Sequence, residues 1–111
     1  MYLKSLKLHD FRNYKKLNIS LTKGINIIYG NNAQGKTNLL ESIYVLGLTK
    51  SHRSIIDNNL INNDSKYLTI EGKVIDKRLE NKLNIYIDEK QKVLKYNDNL
   101  IKKVSDYIAN L

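Results

Sequence analysis

Eight consecutive residues of this chain, Gly30-Asn31-Asn32-Ala33-Gln34-Gly35-Lys36-Thr37, satisfy the pattern G-x-x-x-x-G-K-[ST] at every position. Gly30 lets the chain turn sharply out of a strand, and Gly35 lets the backbone approach a ligand where a side chain would collide. The N–H groups between them turn inward as an anion-binding nest, and the helix that follows aims its positive end at the same point. Lys36 is within reach of β- and γ-phosphates. The Thr37 hydroxyl is placed to ligate Mg²⁺, a cation that takes oxygen ligands and keeps several of its waters.

The letters recur by chance in long sequences, so the flanks decide. Upstream, Ile25-Asn26-Ile27-Ile28-Tyr29 is a short apolar run without alternation, as expected for a strand buried on both faces. From Thr37, residues Leu39, Leu40, Ile43, Tyr44 and Leu48 recur at helical spacing, with Gly47 near the exit, which predicts a helix of about three turns. Strand, glycine loop and helix in that order describe an α/β chain that binds nucleotide phosphate at the loop. An ordinary strand-to-helix turn is the reading they displace.

Two strands precede this unit. Leu6 and Leu8 alternate with Lys7 and His9, and Leu17, Ile19 and Leu21 alternate with Asn18, Ser20 and Thr22. Between them Asp10-Phe11-Arg12-Asn13-Tyr14 reads as a polar turn carrying aromatics, and Lys23-Gly24 as a tight turn after the second. Residues 49–66, rich in Asn, Asp and Ser, read as an irregular connection with one helical turn around Ile56 to Ile61. Alternation then returns in Leu68 to Val74, Leu83 to Ile87 and Val93 to Tyr96. Short polar turns at 76–81 and 88–91 predict an antiparallel meander. Val104, Tyr107, Ile108 and Leu111 follow helical spacing, with Ser105 or Asp106 as a cap. That helix has no closing signal, so the chain is expected to be the N-terminal piece of something longer.

Composition narrows the function classes. The 111 residues correspond to one domain or part of one. No apolar run approaches the roughly 20 residues of a membrane span, and the first residues lack the apolar core of a leader, so a cytoplasmic chain without a membrane partner is expected. No cysteine is present, which removes disulfides and thiolate metal sites. The net charge of +8 admits a nucleic-acid partner. However, the excess of Lys, Asn, Ile and Tyr is also what an A+T-rich coding sequence produces, and the charges form no block.

Asn32 to Glu41 (Asn-Ala-Gln-Gly-Lys-Thr-Asn-Leu-Leu-Glu), Phe11-Arg12-Asn13-Tyr14 and Lys50-Ser51-His52-Arg53 together resemble the RecF family of bacterial DNA replication and repair proteins. Heads of that family are similar to those of ABC-type and SMC-like ATPases. The resemblance implies that residues 1–111 form the N-terminal lobe of an ABC-type ATP-binding domain, a P-loop NTPase fold with an antiparallel β-meander after the P-loop helix. It implies an ATP site at Gly30, Asn31, Asn32, Ala33, Gln34, Gly35, Lys36 and Thr37, with Thr37 on Mg²⁺. In related heads the arginine of the Phe-Arg motif lies beside the nucleotide. That makes Arg12 a further candidate, with a solvated turn residue as its alternative. Lys50, His52 and Arg53 are candidates for DNA or subunit contact, or merely complement the helix dipole. Glu41 reads as a surface charge. The implied partners are DNA, a second copy in an ATP-dependent homodimer, and the mediators RecO and RecR. The implied roles are recombinational repair and SOS induction, with weak DNA-dependent ATPase activity.

Ile85-Tyr86-Ile87-Asp88-Glu89 imitates a Walker B strand, which delivers Asp to Mg²⁺ and Glu to the attacking water. Asn84 and Tyr86 alternate with the apolar residues, however, so the segment reads as a strand with one wet face that ends in a hairpin at Asp88. By the resemblance, Walker B and signature motifs lie beyond Leu111, and hydrolysis needs residues this chain lacks. The competing readings are an unrelated P-loop kinase or NTPase, and a DNA-binding β module whose glycine loop is incidental.

Overall fold

Leucine alternating with lysine builds the first strand, and the same rule builds five more. A computed structural model describes residues 2–24, 33–48 and 57–101, with side chains at all of these except 33–36, 48, 57 and 58. In chain order the elements are β1 (Tyr2–Phe11), β2 (Tyr14–Ser20), α1 (Ala33–Leu48), a 3-10 turn (Asp57–Leu60), β3 (Tyr67–Asp76), β4 (Leu79–Asp88), β5 (Lys92–Tyr96) and β6 (Asn99–Ile101). The 3-10 turn falls where a helical turn is expected. The expected strand at Ile25 to Tyr29, the expected helix at Val104 to Leu111, and Lys50, His52 and Arg53 lie outside the described residues.

The six strands form one antiparallel sheet in the order β2-β1-β3-β4-β5-β6. The meander is present as expected. The sequence pattern leaves two features unanticipated: β1 pairs with β3, which joins the opening hairpin to the meander, and β6 adds a short sixth strand. Within the polar stretch 76–81 the turn itself is two residues, Lys77 and Arg78, between β3 and β4. Lys77 and Arg78 take φ values of +51° and +69°, the geometry of a type I′ hairpin. Neither residue is the Gly or Asn that usually marks such a turn, so sequence carried no cue. At the β5–β6 turn Asn97 and Asp98 take +51° and +67°, positions that these residues tolerate better.

The register puts one residue set of each strand on the inner face. One row runs Ile19, Leu6, Gly72, Leu83, Tyr96, and the next runs Leu17, Leu8, Ile70, Ile85, Leu94, Ile101. Leu6, Leu8, Leu68, Ile70, Leu83, Ile85, Ile87 and Leu94 are all buried there. Each fully buried aliphatic side chain contributes about 1.5–3 kcal/mol, so this row structure is the main source of cohesion. The opposite face is polar, as suits an antiparallel sheet with one side in water.

α1 packs on β3 and β4 of the inner face. Its close approach depends on Gly72: a Cβ there would collide with the Leu46 side chain and lie 3.2 Å from Leu3 Cδ1. Leu46 is itself buried and has little room to withdraw. Gly72→Val should therefore destabilise the chain by about 1–3 kcal/mol through overpacking. Urea denaturation checks this, and an unchanged midpoint would show that the helix and sheet are not in this contact.

Candidate functional site

α1 begins at Ala33, inside the glycine motif, and runs for 16 residues. The expected start at Thr37 was late because apolar periodicity cannot see a first turn made of Ala33, Gln34, Gly35 and Lys36. That turn holds N–H groups no helical carbonyl can reach. No acidic residue occupies it, so nothing there offsets the positive end of the helix dipole. Thr37 is exposed on the next turn. Gly30, Asn31 and Asn32 lie outside the described residues, as do the side chains of Ala33, Gln34 and Lys36.

The face of α1 that meets the protein is not the one apolar periodicity indicates. Leu40 and Tyr44, both expected at the helical apolar spacing, are 56% and 39% exposed. Asn38, Glu41 and Ser42 are buried instead, alongside Leu39, Val45 and Leu46. Three polar side chains on an inward face require partners. The Ser42 hydroxyl donates to the Leu39 carbonyl at 2.6 Å. Asn38 Nδ2 donates to Asn13 Oδ1 at 2.7 Å. Glu41 accepts from Arg12 Nε at 2.6 Å and from Arg12 Nη2 at 3.1 Å, a two-pronged guanidinium–carboxylate pair.

This corrects the reading of Glu41 as a surface charge. Its side chain is 0% exposed, and that of Arg12 is 23% exposed. Arg12 is thus no solvated turn residue either; it joins the β1–β2 turn to the P-loop helix. A helical Glu four positions after Thr37 carries no sequence signal of burial, because the partner that makes burial tolerable is 29 residues away.

The Phe11-Arg12-Asn13 turn is held from its other side as well. Phe11 is fully buried and forms a β-bridge with Ile61. Arg12 N donates to the Leu60 carbonyl at 2.7 Å, and Asn62 N donates to the Asp10 carbonyl at 2.8 Å. Asn62 Nδ2 donates to the Arg12 carbonyl at 2.5 Å. Asp10 and Arg12 take φ values of +53° and +48°, a conformation unfavourable for residues other than glycine that these clamps maintain. Beside the turn lies a cleft of about 410 Å³ whose walls include Arg12, Asn13, Asn59, Asn62 and Asp64. Asn59, Asn62 and Asp64 were not singled out from sequence, where an Asn-rich stretch reads only as a loop.

Asp88 ends β4 as the hairpin reading requires. Its Oδ1 accepts from the N–H groups of Lys90 and Gln91, both at 2.8 Å, and its Oδ2 accepts from the Tyr86 hydroxyl at 3.0 Å. The two backbone donors, with Tyr86 and Lys90, hold the Asp88 carboxyl below its ordinary value of 3.8. The sign follows: the ionised form is favoured by folding, so this contribution is complete above pH 3.8 and is lost as pH falls through the depressed value. Ile85 and Ile87 are buried while Asn84 and Tyr86 are half-buried, the alternation of a one-sided strand. Asp88→Ala should accordingly lower the melting temperature while leaving Mg²⁺-dependent nucleotide binding intact; loss of that dependence would restore the Walker B reading. No cluster of metal-ligating side chains occurs among the described residues, and no helix among them is long and apolar enough to cross a membrane.

Comparison with known proteins bears on this geometry. The family model described as RecF/RecN/SMC N terminal domain matches residues 2–110. The DNA replication and repair protein RecF of Oenococcus oeni is 46% identical over all 111 residues, and that of a Streptococcus suis strain is 44% identical. The chain spans about 30% of the length of each of these curated relatives. A solved structure of the recombination mediator protein RecF with ATP, from the RecFOR pathway, superposes with a TM-score of 0.90 at 35% identity, covering 99% of this chain and 31% of that one. The SMC head domain from Thermotoga maritima superposes with a TM-score of 0.80 at 18% identity, covering 99% and 42%, which is a likeness of fold. The fold is that of a P-loop ATPase head of the ABC and SMC kind, seen among the described residues as an antiparallel sheet with α1 against it.

Proposed function

Because the chain belongs to the RecF/RecN/SMC N-terminal domain family, we propose that it is the ATP-binding N-terminal lobe of a RecF-type DNA replication and repair protein. The observation that carries this reading is the start of α1 within the Gly30–Thr37 motif, which puts the motif's last residues into a helix terminus whose first N–H groups no helical carbonyl can reach and whose first turn contains no acid. A triphosphate fits such a terminus. Backbone N–H groups from Gly30 to Gly35 and the Lys36 ammonium would hold the phosphates, and the Thr37 hydroxyl would hold Mg²⁺. The Asn-walled cleft beside Arg12 and Asn13 would take the nucleoside, since Asn13 is bonded to Asn38, the residue that follows the motif.

A homodimer that held the nucleotide more tightly in its closed state would be favoured by ATP through that differential affinity. The chain's own part is to keep the P-loop helix and the Phe-Arg-Asn turn in fixed relation through the Arg12–Glu41 pair. The similar solved structures are of the recombination mediator protein RecF in the RecFOR pathway, which supports a role in recombination; on this reading DNA, RecO and RecR would be the partners, in the cytoplasm, for recombinational repair and SOS induction.

Titration with a fluorescent ATP analogue, with and without Mg²⁺, tests the reading. Saturable binding strengthened by Mg²⁺ is expected. A DNA-binding β module with an incidental glycine loop predicts no saturation.

A further inference from the structure

Two stretches that lie 50 positions apart in sequence wall the cleft beside Arg12. Arg12 and Asn13 come from the β1–β2 turn, and Asn59, Asn62 and Asp64 from the connection between α1 and β3. The chain has no cysteine to tie them, so non-covalent bonds must. Asn62 uses both its peptide groups and both ends of its amide for this. Its N–H donates to the Asp10 carbonyl at 2.8 Å, and its carbonyl accepts from Ser65 N at 2.9 Å. Its Oδ1 accepts from Asp64 N at 2.9 Å, an Asx turn that shapes its own loop. Its Nδ2 crosses to the Arg12 carbonyl at 2.5 Å. Of these four, only the last needs an amide: a carboxylate could serve the Asx turn, and any residue but proline could supply the peptide groups.

Arg12 depends on such a bond more than most residues do. Its φ of +48°, like the +53° of Asp10, would cost a glycine little, but a glycine has no guanidinium to offer Glu41. The unfavourable backbone is kept and has to be held. Arg12 N donates to the Leu60 carbonyl and its own carbonyl receives Asn62 Nδ2, so both peptide groups of the residue are fixed from the connection. Two side-chain directions are fixed with them: that of Arg12, which pairs with Glu41, and that of Asn13, which accepts from Asn38 beside the glycine motif. A second polar tie, Lys15 to Asp64 at 3.4 Å, joins side chains that are 72% and 75% exposed, where ion pairs contribute little.

We propose that Asn62 is a positioning residue for the nucleoside: its side-chain amide latches the Arg12 turn to the connection, so that the cleft is formed before a ligand arrives. With Nδ2 engaged by the Arg12 carbonyl, Asn62 acts through that turn rather than on the ligand. The inference rests on the reading of this cleft as the nucleoside's place, and it predicts a division between the two ends of ATP. A cleft that must be ordered on binding loses affinity for the nucleoside. The phosphates, held by the Gly30–Thr37 loop, are not party to the latch.

Asn62→Asp is the discriminating variant, since it preserves the Asx turn and the peptide bonds while setting a carboxylate against the Arg12 carbonyl. On the 111-residue chain it should weaken binding of the fluorescent ATP analogue by about three- to tenfold, the loss of one neutral hydrogen bond. Affinity for inorganic tripolyphosphate, measured by competition, should stay at the parental value. Exchange of the Arg12 amide hydrogen, followed by NMR without nucleotide, should quicken in the same variant. Asn62→Ser keeps a hydroxyl acceptor for the loop, adds no charge, and should show the same division even if the carboxylate unfolds the connection. Parental affinity for the ATP analogue in both variants would overturn the proposal, and so would equal losses for the analogue and tripolyphosphate, which would indicate general damage. A parent chain that binds neither probe removes the nucleotide reading and the latch's role together; a parent that binds both, with variants that behave like it, removes the latch alone.

Discussion

Replacing Arg12 with alanine will destabilise the folded chain by about 3–5 kcal/mol, the range for removing one partner of a buried ion pair. The reason lies with the residue left behind. Glu41 is fully buried on the inward face of α1 and loses both charge-assisted bonds from the guanidinium at once. Urea denaturation followed by circular dichroism reads the loss. A change below about 1 kcal/mol would mean that the carboxylate reaches water in solution and that the turn is not anchored to the helix. Replacing both partners together, as Arg12→Met with Glu41→Leu, should recover most of the stability, because apolar residues of similar volume substitute well for buried pairs. That double variant also separates two roles for Arg12. If the arginine touches nucleotide as well as Glu41, the variant will be stable yet bind the ATP analogue more weakly, and this is the expected result. Parental affinity would assign Arg12 to positioning alone.

Lys36→Ala should weaken binding of the ATP analogue by about 10- to 100-fold, the equivalent of about 1.5–3 kcal/mol for hydrogen bonds to a charged group. Alanine is the best helix former and Lys36 stands in the first turn of α1, so far-UV circular dichroism should be unchanged. The loss should be greater for the triphosphate than for the monophosphate, since the ammonium is expected at the β and γ positions. Unchanged affinity across that series would remove the central assignment and with it the role proposed for the glycine loop. Together the two variants distinguish a lysine that acts on ligand from an arginine that first acts on the protein.

Much of the architecture was legible because strand periodicity is local. Leu6 and Leu8, or Ile85 and Ile87, announce their face through residues two positions away, and the structure buries each of them. The same local logic exposed Asp88 as a turn residue, against the pull of a familiar motif. Helix α1 resisted the method. Its inward side is part polar, so Leu40 and Tyr44 suggested a face that is in fact solvent-exposed, while Glu41, read as a surface charge, is buried. Gly72 shows the same difficulty in a strand: an isolated glycine hints at close approach, but only the packed helix identifies Leu46 as what approaches.

The sequence by itself determined the opening hairpin strands, the meander strands after the helix and the polar turn at Asp88, and it supplied the glycine motif from which the nucleotide proposal starts. Each of these depends on the conformational limits and spacing of neighbouring residues. Only the tertiary structure decided that β1 lies beside β3, that Arg12 belongs to Glu41, and that Asn13 belongs to Asn38. Those pairings join residues tens of positions apart. Their free energy comes from excluding water around groups that must then satisfy one another, and that condition exists only once the chain has closed.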